Sequence, residues 1–183
     1  MRHAATLALV LATLVFALGC DSRLEETDGG GVLLSVSDFD GVPNVVDTSE
    51  VRALGFATLG TITIQSIVRD IDGSTSDLMN IEMQSYEVTF SRGDTGTRLP
   101  PSLVQPSLIY VPAGGSTDLN NLRILQSPQL SNTPLSDLQN FGIDRETGSS
   151  VVILNIRLRF FGKTIGGRDV ATEPRAFTVE FRQ

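Results

Sequence analysis

Few side chains in this sequence could do covalent chemistry. The one histidine is His3, the one cysteine is Cys20, and the one lysine, Lys163, stands among thirteen arginines. If the first nineteen residues are removed and Cys20 is modified, no imidazole and no free thiol remain. That inventory leaves no means of building a Ser-His-Asp triad, a Cys-His pair or a His/Cys zinc site. Lys163 sits beside Gly162 in an expected hairpin and reads as a solvated loop residue, not the base of a Ser-Lys dyad. The tripeptide Gly162-Lys163-Thr164 lacks the upstream glycine of a phosphate loop, because Arg157 occupies that position, and it reads as a turn. No Gly-x-Ser-x-Gly is present. The expectation is a protein that is not an enzyme.

Carboxylates are the remaining chemistry. In Asp70-Ile71-Asp72-Gly73-Ser74-Thr75-Ser76-Asp77, three acids and several hydroxyls could converge as hard oxygen ligands, so Asp70, Asp72 and Asp77 are calcium candidates. The spacing is not that of an EF-hand: the glycine comes fourth, and Ile81 stands where a bidentate Glu belongs. A solvated turn closed by Asx and hydroxyl caps is the competing reading of the same residues. Glu82 and Glu87 could serve a glycosidase only if two acids faced each other across a cleft, about 5–10 Å apart. The net charge of −7 supplies no basic surface for nucleic acid or for anionic lipid headgroups.

The sequence begins with Arg2 and His3, continues with an apolar run over residues 4–18, and reaches Ala17-Leu18-Gly19-Cys20. Fifteen or so apolar residues are too few to cross a bilayer as a helix, which needs about 20, and the pattern is that of a signal peptide over residues 1–19. Gly19-Cys20 resembles the lipobox of bacterial lipoproteins, although Ala17 stands where that motif usually has Leu. The resemblance implies cleavage before Cys20, a diacylglyceryl group on its sulfur, and a membrane anchor made of acyl chains instead of protein. Asp21 resembles the inner-membrane retention signal of some Gram-negative bacteria; inner and outer membrane both stay open. Residues 20–31 then comprise the lipid-bearing Cys and a charged, glycine-ended tether with a random-coil reach of about 20 Å.

From residue 32 to 183 the pattern changes to alternation. Val152, Leu154, Ile156, Leu158 and Phe160 share one face of a strand, with Asn155, Arg157 and Arg159 on the other. Tyr86, Val88 and Phe90, and again Phe177, Val179 and Phe181, repeat the division. Seven strands are predicted: Val32–Val36, Ala57–Val68, Ile81–Ser91, Leu108–Val111, Asp118–Leu125, Val151–Phe161 and Ala176–Arg182. The phase slip between Ile64 and Ile67 predicts a bulge or a bend near Ser66. Thr133-Pro134 followed by LSDLQNF predicts one short helix over 134–141 and no other. Phe161 points outward and is either a contact residue or covered at a bulge or under a loop.

The YEVTF strand, the VPAGGS turn and the closing RLRFFGKTIGGRDV…FTVEF hairpin resemble immunoglobulin-like or fibronectin type III-like domains of bacterial lipoproteins, without the Cys–Trp–Cys core of antibody domains. The resemblance implies an all-β, two-sheet sandwich over residues 32–183 and favours binding over catalysis. The functional expectation is a membrane-anchored envelope protein facing the periplasm or the outside, with an envelope protein or glycan as partner. The alternatives are a carboxylate- or calcium-dependent enzyme acting on envelope or extracellular polysaccharide, and a passive spacer.

Overall fold

A computed structural model describes residues 31–40, 42–70 and 74–183. Strands make up 55% of these residues and helices 14%, so the β character expected from the alternation holds. In chain order the elements are β1 (Val32–Asp40), β2 (Val45–Asp47), α1 (Thr48–Leu54), β3 (Phe56–Val68), β4 (Ile81–Arg92), β5 (Leu103–Val111), β6 (Ser116–Gln126), α2 (Ser127–Leu130), α3 (Leu135–Phe141), β7 (Val151–Thr164), β8 (Asp169–Ala171) and β9 (Arg175–Arg182). All seven predicted strands are present, most of them longer than the apolar pattern alone marks. The three-residue strands β2 and β8 are additions.

The strands form two sheets. One has the order β1-β3-β6; the other, curled, has the order β2-β9-β7-β4-β5, with β8 continuing the β9 lane beside β7. Strand β2 runs parallel to β9, a mixed pairing that the antiparallel sandwich of the sequence reading does not contain. The layout is two sheets over one core but not clearly an immunoglobulin sandwich.

β7 is the spine of the larger sheet. Its inward residues Val152, Leu154, Ile156, Leu158 and Phe160 are all fully buried, each contributing about 1.5–3 kcal/mol of apolar burial. Tyr86 and Val88 of β4 and Val179 and Phe181 of β9 flank them in register. The smaller sheet supplies Leu34, Val36, Ile62 and Ile64 to the same core. Tyr86 joins the layers: its ring packs against Phe160 at 5.8 Å between centroids, and its hydroxyl donates to the Arg123 carbonyl on β6 at 2.9 Å.

Several local expectations need correction. No bulge occurs at Ser66, where β1 and β3 pair without interruption from Val32↔Val68 to Val36↔Ile64. The buried phase of β3 instead moves by one residue between Leu59 and Ile62, beside Asn121 of β6, which has a left-handed φ of 57°. Ser66 is then inward, and Ile67 is an outer-face residue paired with Leu33. Helix α3 forms within the predicted 134–141, but Pro134, reached through a cis bond from Thr133, precedes the helix instead of opening it. α1 and α2 are helices the sequence reading omits. α1 has an Asp47 cap that accepts from the Ser49 N–H at 2.7 Å and a left-handed Gly55 at its end.

Gly162, Lys163 and Thr164 belong to β7, and the turn lies beyond them at Ile165–Arg168. Phe161 faces outward beside the β4 bulge between Met83 and Ser85, half-buried with the Arg159 guanidinium over its ring at 5.1 Å. This is the covered-at-a-bulge alternative. At the same bulge a Cβ on Gly162 would stand 2.5 Å from the Glu82 carbonyl oxygen. Gly162→Ala is therefore expected to cost about 1–3 kcal/mol, read as a lower urea midpoint at unchanged slope.

Candidate functional site

Because the strands run alternately, the molecule has two unlike ends. At one, β1 begins after Gly31, β3 ends, and the turns 112–115 and 165–168 close hairpins; Arg69 N–H donates to the Gly31 carbonyl at 3.0 Å. At the other lie all three helices and the connections 93–102 and 142–150. Two grooves among the described residues lie at this helical end and on the flank beside it.

The helical end is locked by ions. Arg92 closes β4 with a side chain only 4% exposed, and it holds two carboxylates: Nε meets Asp94 Oδ1 at 2.6 Å and Nη2 meets Asp144 Oδ2 at 2.7 Å. Asp94 also extends the sheet, since its Oδ2 accepts from Ile153 N–H at 3.0 Å directly after Gly93 N–H has bonded the Ile153 carbonyl. Asp144, fully buried, accepts from Glu146 N–H and Thr147 Oγ1. Glu146 returns across the gap to accept from the N–H groups of Thr97 and Arg98, both at 3.0 Å.

Burial raises the Asp94 carboxyl, but hydrogen bonds from Arg92, Ile153 and Gly96 together with the Arg92 charge outweigh it and bring the pKa down to about 2. Asp144 is lowered for the same kind of reason: burial opposes, and Arg92, Glu146 and Thr147 prevail. Hydrogen bonds from Thr97 and Arg98 bring Glu146 to about 2.

On this frame α3 carries Asp137, whose Oδ1 accepts from Arg145 Nε at 3.0 Å; its Oδ2 is buried without a hydrogen bond, with Arg98 Nη1 3.9 Å away. Arg98 and Arg145 are themselves more than half exposed. The Arg145 guanidinium lies 4.6 Å over the Phe141 ring. Between the helices is a polar groove of about 280 Å³ lined by Arg52 and Gly55, by Ser127 and Ser131, and by Gln139 and Asn140 among others. Leu54 and Phe141, next in sequence to Gly55 and Asn140, are 65% and 57% exposed. The serine hydroxyls of the groove have no carboxylate among the lining residues to activate them, so what it offers is hydrogen bonding and one guanidinium.

A second, shallower groove of about 390 Å³ lies on the flank where the β5–β6 hairpin opens and its two strands join different sheets. Thr117 Oγ1 donates to the Tyr110 carbonyl at 2.8 Å between the same two strands. Gln105, Asp118 and Asn120 line it.

The residues singled out from sequence are described only in part. Cys20 and Asp72 lie outside the described residues. Asp70 follows β3, and Asp77 opens a single 3-10 turn, Asp77–Met79, capped by Ser76. Among the described residues no group of three or more His, Cys, Asp or Glu could hold a metal ion, and no helix is long and apolar enough to cross a membrane. Glu82 and Glu87 lie along one strand on the outer face of the sheet, about 16 Å apart by strand rise, not across a cleft. The sequence does not reveal the network of Arg92, Asp94, Asp144 and Asp137: Arg92 and Asp94 are near neighbours, but Asp144 lies 52 positions from Arg92 and no local feature marks the two as partners. No protein-family model matches the chain, and comparison with curated proteins and with solved structures finds no significant match.

Removing the Arg92 guanidinium leaves two carboxylates without their cation, so Arg92→Met is expected to cost about 3–5 kcal/mol in chemical denaturation. The pH dependence has a definite sign. Asp94 titrates lower in the folded chain than the ordinary 3.8, so its stabilisation is present above about pH 4 and is lost as pH falls towards 2; it contributes about 2 kcal/mol. Denaturation midpoints measured between pH 5 and pH 2 should fall for the natural sequence and fall less for Asp94→Asn.

Proposed function

We propose that the protein is a lipid-anchored, non-enzymatic component of the cell envelope whose β-domain presents its helical end to a protein partner. Cys20 bears the lipid and residues 1–19 are the leader in this reading, which places the domain on the periplasmic or outer side of a membrane. The observation that carries the proposal is the polarity of the molecule: the chain enters β1 at one end, and the helices, the polar groove and the braced loops lie at the other.

The composition of that far end favours protein over glycan. Exposed Leu54 and Phe141 stand beside Arg52, Arg98 and Arg145, and aromatic residues with arginine are the side chains enriched in protein interfaces and their hot spots. The ion network makes the surface rigid before binding, which lowers the entropy lost on association. The likeness to immunoglobulin-like and fibronectin type III-like modules is part of this proposal only, and it extends to two packed sheets used as a support. No observation favours the calcium or polysaccharide-enzyme reading over this one.

Two measurements test it. Intact-mass analysis should show a chain beginning at an acylated Cys20, and a free thiol or a retained leader would overturn the anchor. Proximity labelling in cells should recover a recurrent envelope protein, with recovery reduced at least tenfold by Leu54→Asp together with Phe141→Asp. Equal recovery from that variant, at equal abundance and membrane attachment, removes the helical end as the binding surface.

A further inference from the structure

The Gly31 end carries its own exposed apolar side chains, and they belong to segments bonded to one another. Leu78 is 61% exposed in the 3-10 turn and Ile165 is 44% exposed in the β7–β8 turn. Ile165 N–H donates to the Asn80 carbonyl at 2.8 Å and Gly166 N–H to the Leu78 carbonyl at 2.9 Å. The Asn80 side chain in turn accepts from Ala113 N–H at 2.9 Å, tying in the β5–β6 turn. On the outer face of the smaller sheet Leu33 pairs with Ile67, and both are more than 40% exposed. On the outer face of the larger sheet Tyr110 is half-exposed in the strand that leads into the same turn. Apolar side chains therefore surround the end of the domain at which residue 31 begins β1.

We infer that this end is a membrane-docking surface: Leu78 and Ile165 enter the interfacial layer of the bilayer that holds the protein's own lipid, with Leu33, Ile67 and Tyr110 at the level of the headgroups. The inference rests on the lipid-anchored reading and extends it, since an anchor alone would let the domain drift at the end of its tether. Its occupant follows from the position of the chain. Only residues 21–30 separate Cys20 from the described domain, so in the anchored reading the surface nearest to these side chains is the membrane itself, presented at high effective concentration. A patch too small to bind lipid from solution docks under that condition. Tyrosine suits the water–hydrocarbon boundary, with a ring for the apolar side and a hydroxyl for the wet one.

Charge sets the class of lipid. Arg69, Lys163 and Arg168 stand at this end against Asp70, Asp77, Asp169 and Glu82, the partner of Lys163 across β4 and β7, and Lys163 Nζ is 3.3 Å from Asp169. With no positive excess among the described residues, docking draws on apolar contact and not on anionic headgroups. Zwitterionic bilayers should therefore serve as well as anionic ones, and salt should matter little.

The test uses the full-length lipidated protein in phosphatidylcholine vesicles. The acylated Cys20 leaves an introduced thiol as the one site of labelling, so an environment-sensitive fluorophore is placed by Leu78→Cys and, in a second sample, by Leu54→Cys at the helical end. Leu54 is equally exposed, which controls for attraction of the dye to lipid. Nitroxide carried on the lipid headgroup and upper acyl chain should quench the probe at 78 at least fivefold more than the probe at 54. Adding Ile165→Asp should reduce that quenching, and one-fifth anionic lipid should leave it unchanged. Equal, weak quenching at both positions in protein that still floats with the vesicles overturns docking and leaves the anchor standing. Failure to float, with an unmodified Cys20 by mass, overturns both.

Discussion

A guanidinium taken out of water at the end of a strand has to be matched by charge, and the helical half of this molecule is arranged around that requirement. Arg92 cannot be buried alone; the cost of an unpaired ion in a protein interior is several kcal/mol. Asp94, two residues along, supplies one counter-charge, and Asp144 brings the distant connection 142–150 over to supply the other. Because Asp94 also receives Ile153 N–H, the pair is continuous with the β4–β7 ladder, and the loops inherit the register of the sheet. Glu146 then fixes the backbone of 97–98 from the opposite side. Two connections that would otherwise be free to move independently become one braced surface, with α3 and its Asp137–Arg145 contact resting on it.

The rest of the fold divides labour along its length. The middle is a β core in which β7 contributes its entire inward face and Tyr86 joins the layers. The two ends differ in their connections: the turns 112–115 and 165–168 and the connection 69–80 lie where β1 starts, and α1, α2, α3 and the connections 93–102 and 142–150 lie at the other end. On the outer faces of the sheets several polar side chains are paired across strands, Thr61 with Asn120, Thr63 with Asp118 and Thr178 with Asn155.

The core was legible in the sequence wherever one residue type repeated with period two. Val152 to Phe160 and Val179 to Phe181 are buried as the alternation requires, because a half-buried strand needs no information beyond its own pattern. The phase of β3 was not, and the reason is Ile67: it is apolar yet faces out beside Leu33, so a reading that assigns every isoleucine to the core places a bulge where the ladder is regular. Helix α1 was legible and overlooked, since Asp47 with Glu50 three residues on and Gly55 beyond Leu54 are start and stop signals for a segment too short to show an amphipathic stripe. The end of β7 was missed because Gly162 suggests a turn, whereas its missing side chain admits the bulged backbone of β4. For the candidate site, the sequence yields the inventory of chemistry but not its assembly. Asp144 and Arg92 are partners only because β4 and β7 pair, and no local feature of either residue carries that fact.

One consequence joins the site to the fold. The helical end is braced by carboxylates that titrate well below the ordinary range, Asp94 and Glu146 at about 2, so these two groups are ionised at neutral pH and remain so in mild acid. At the Gly31 end the turns are held by backbone hydrogen bonds and by the Asn80 side chain, and Leu78 and Ile165 are exposed there beside the Lys163–Asp169 pair. In the proposed reading the charge-braced end offers the directional contacts that recognition of a protein requires, and the apolar tips of the Gly31 end offer a non-directional one. The length of the strands separates the two, and one β core joins them.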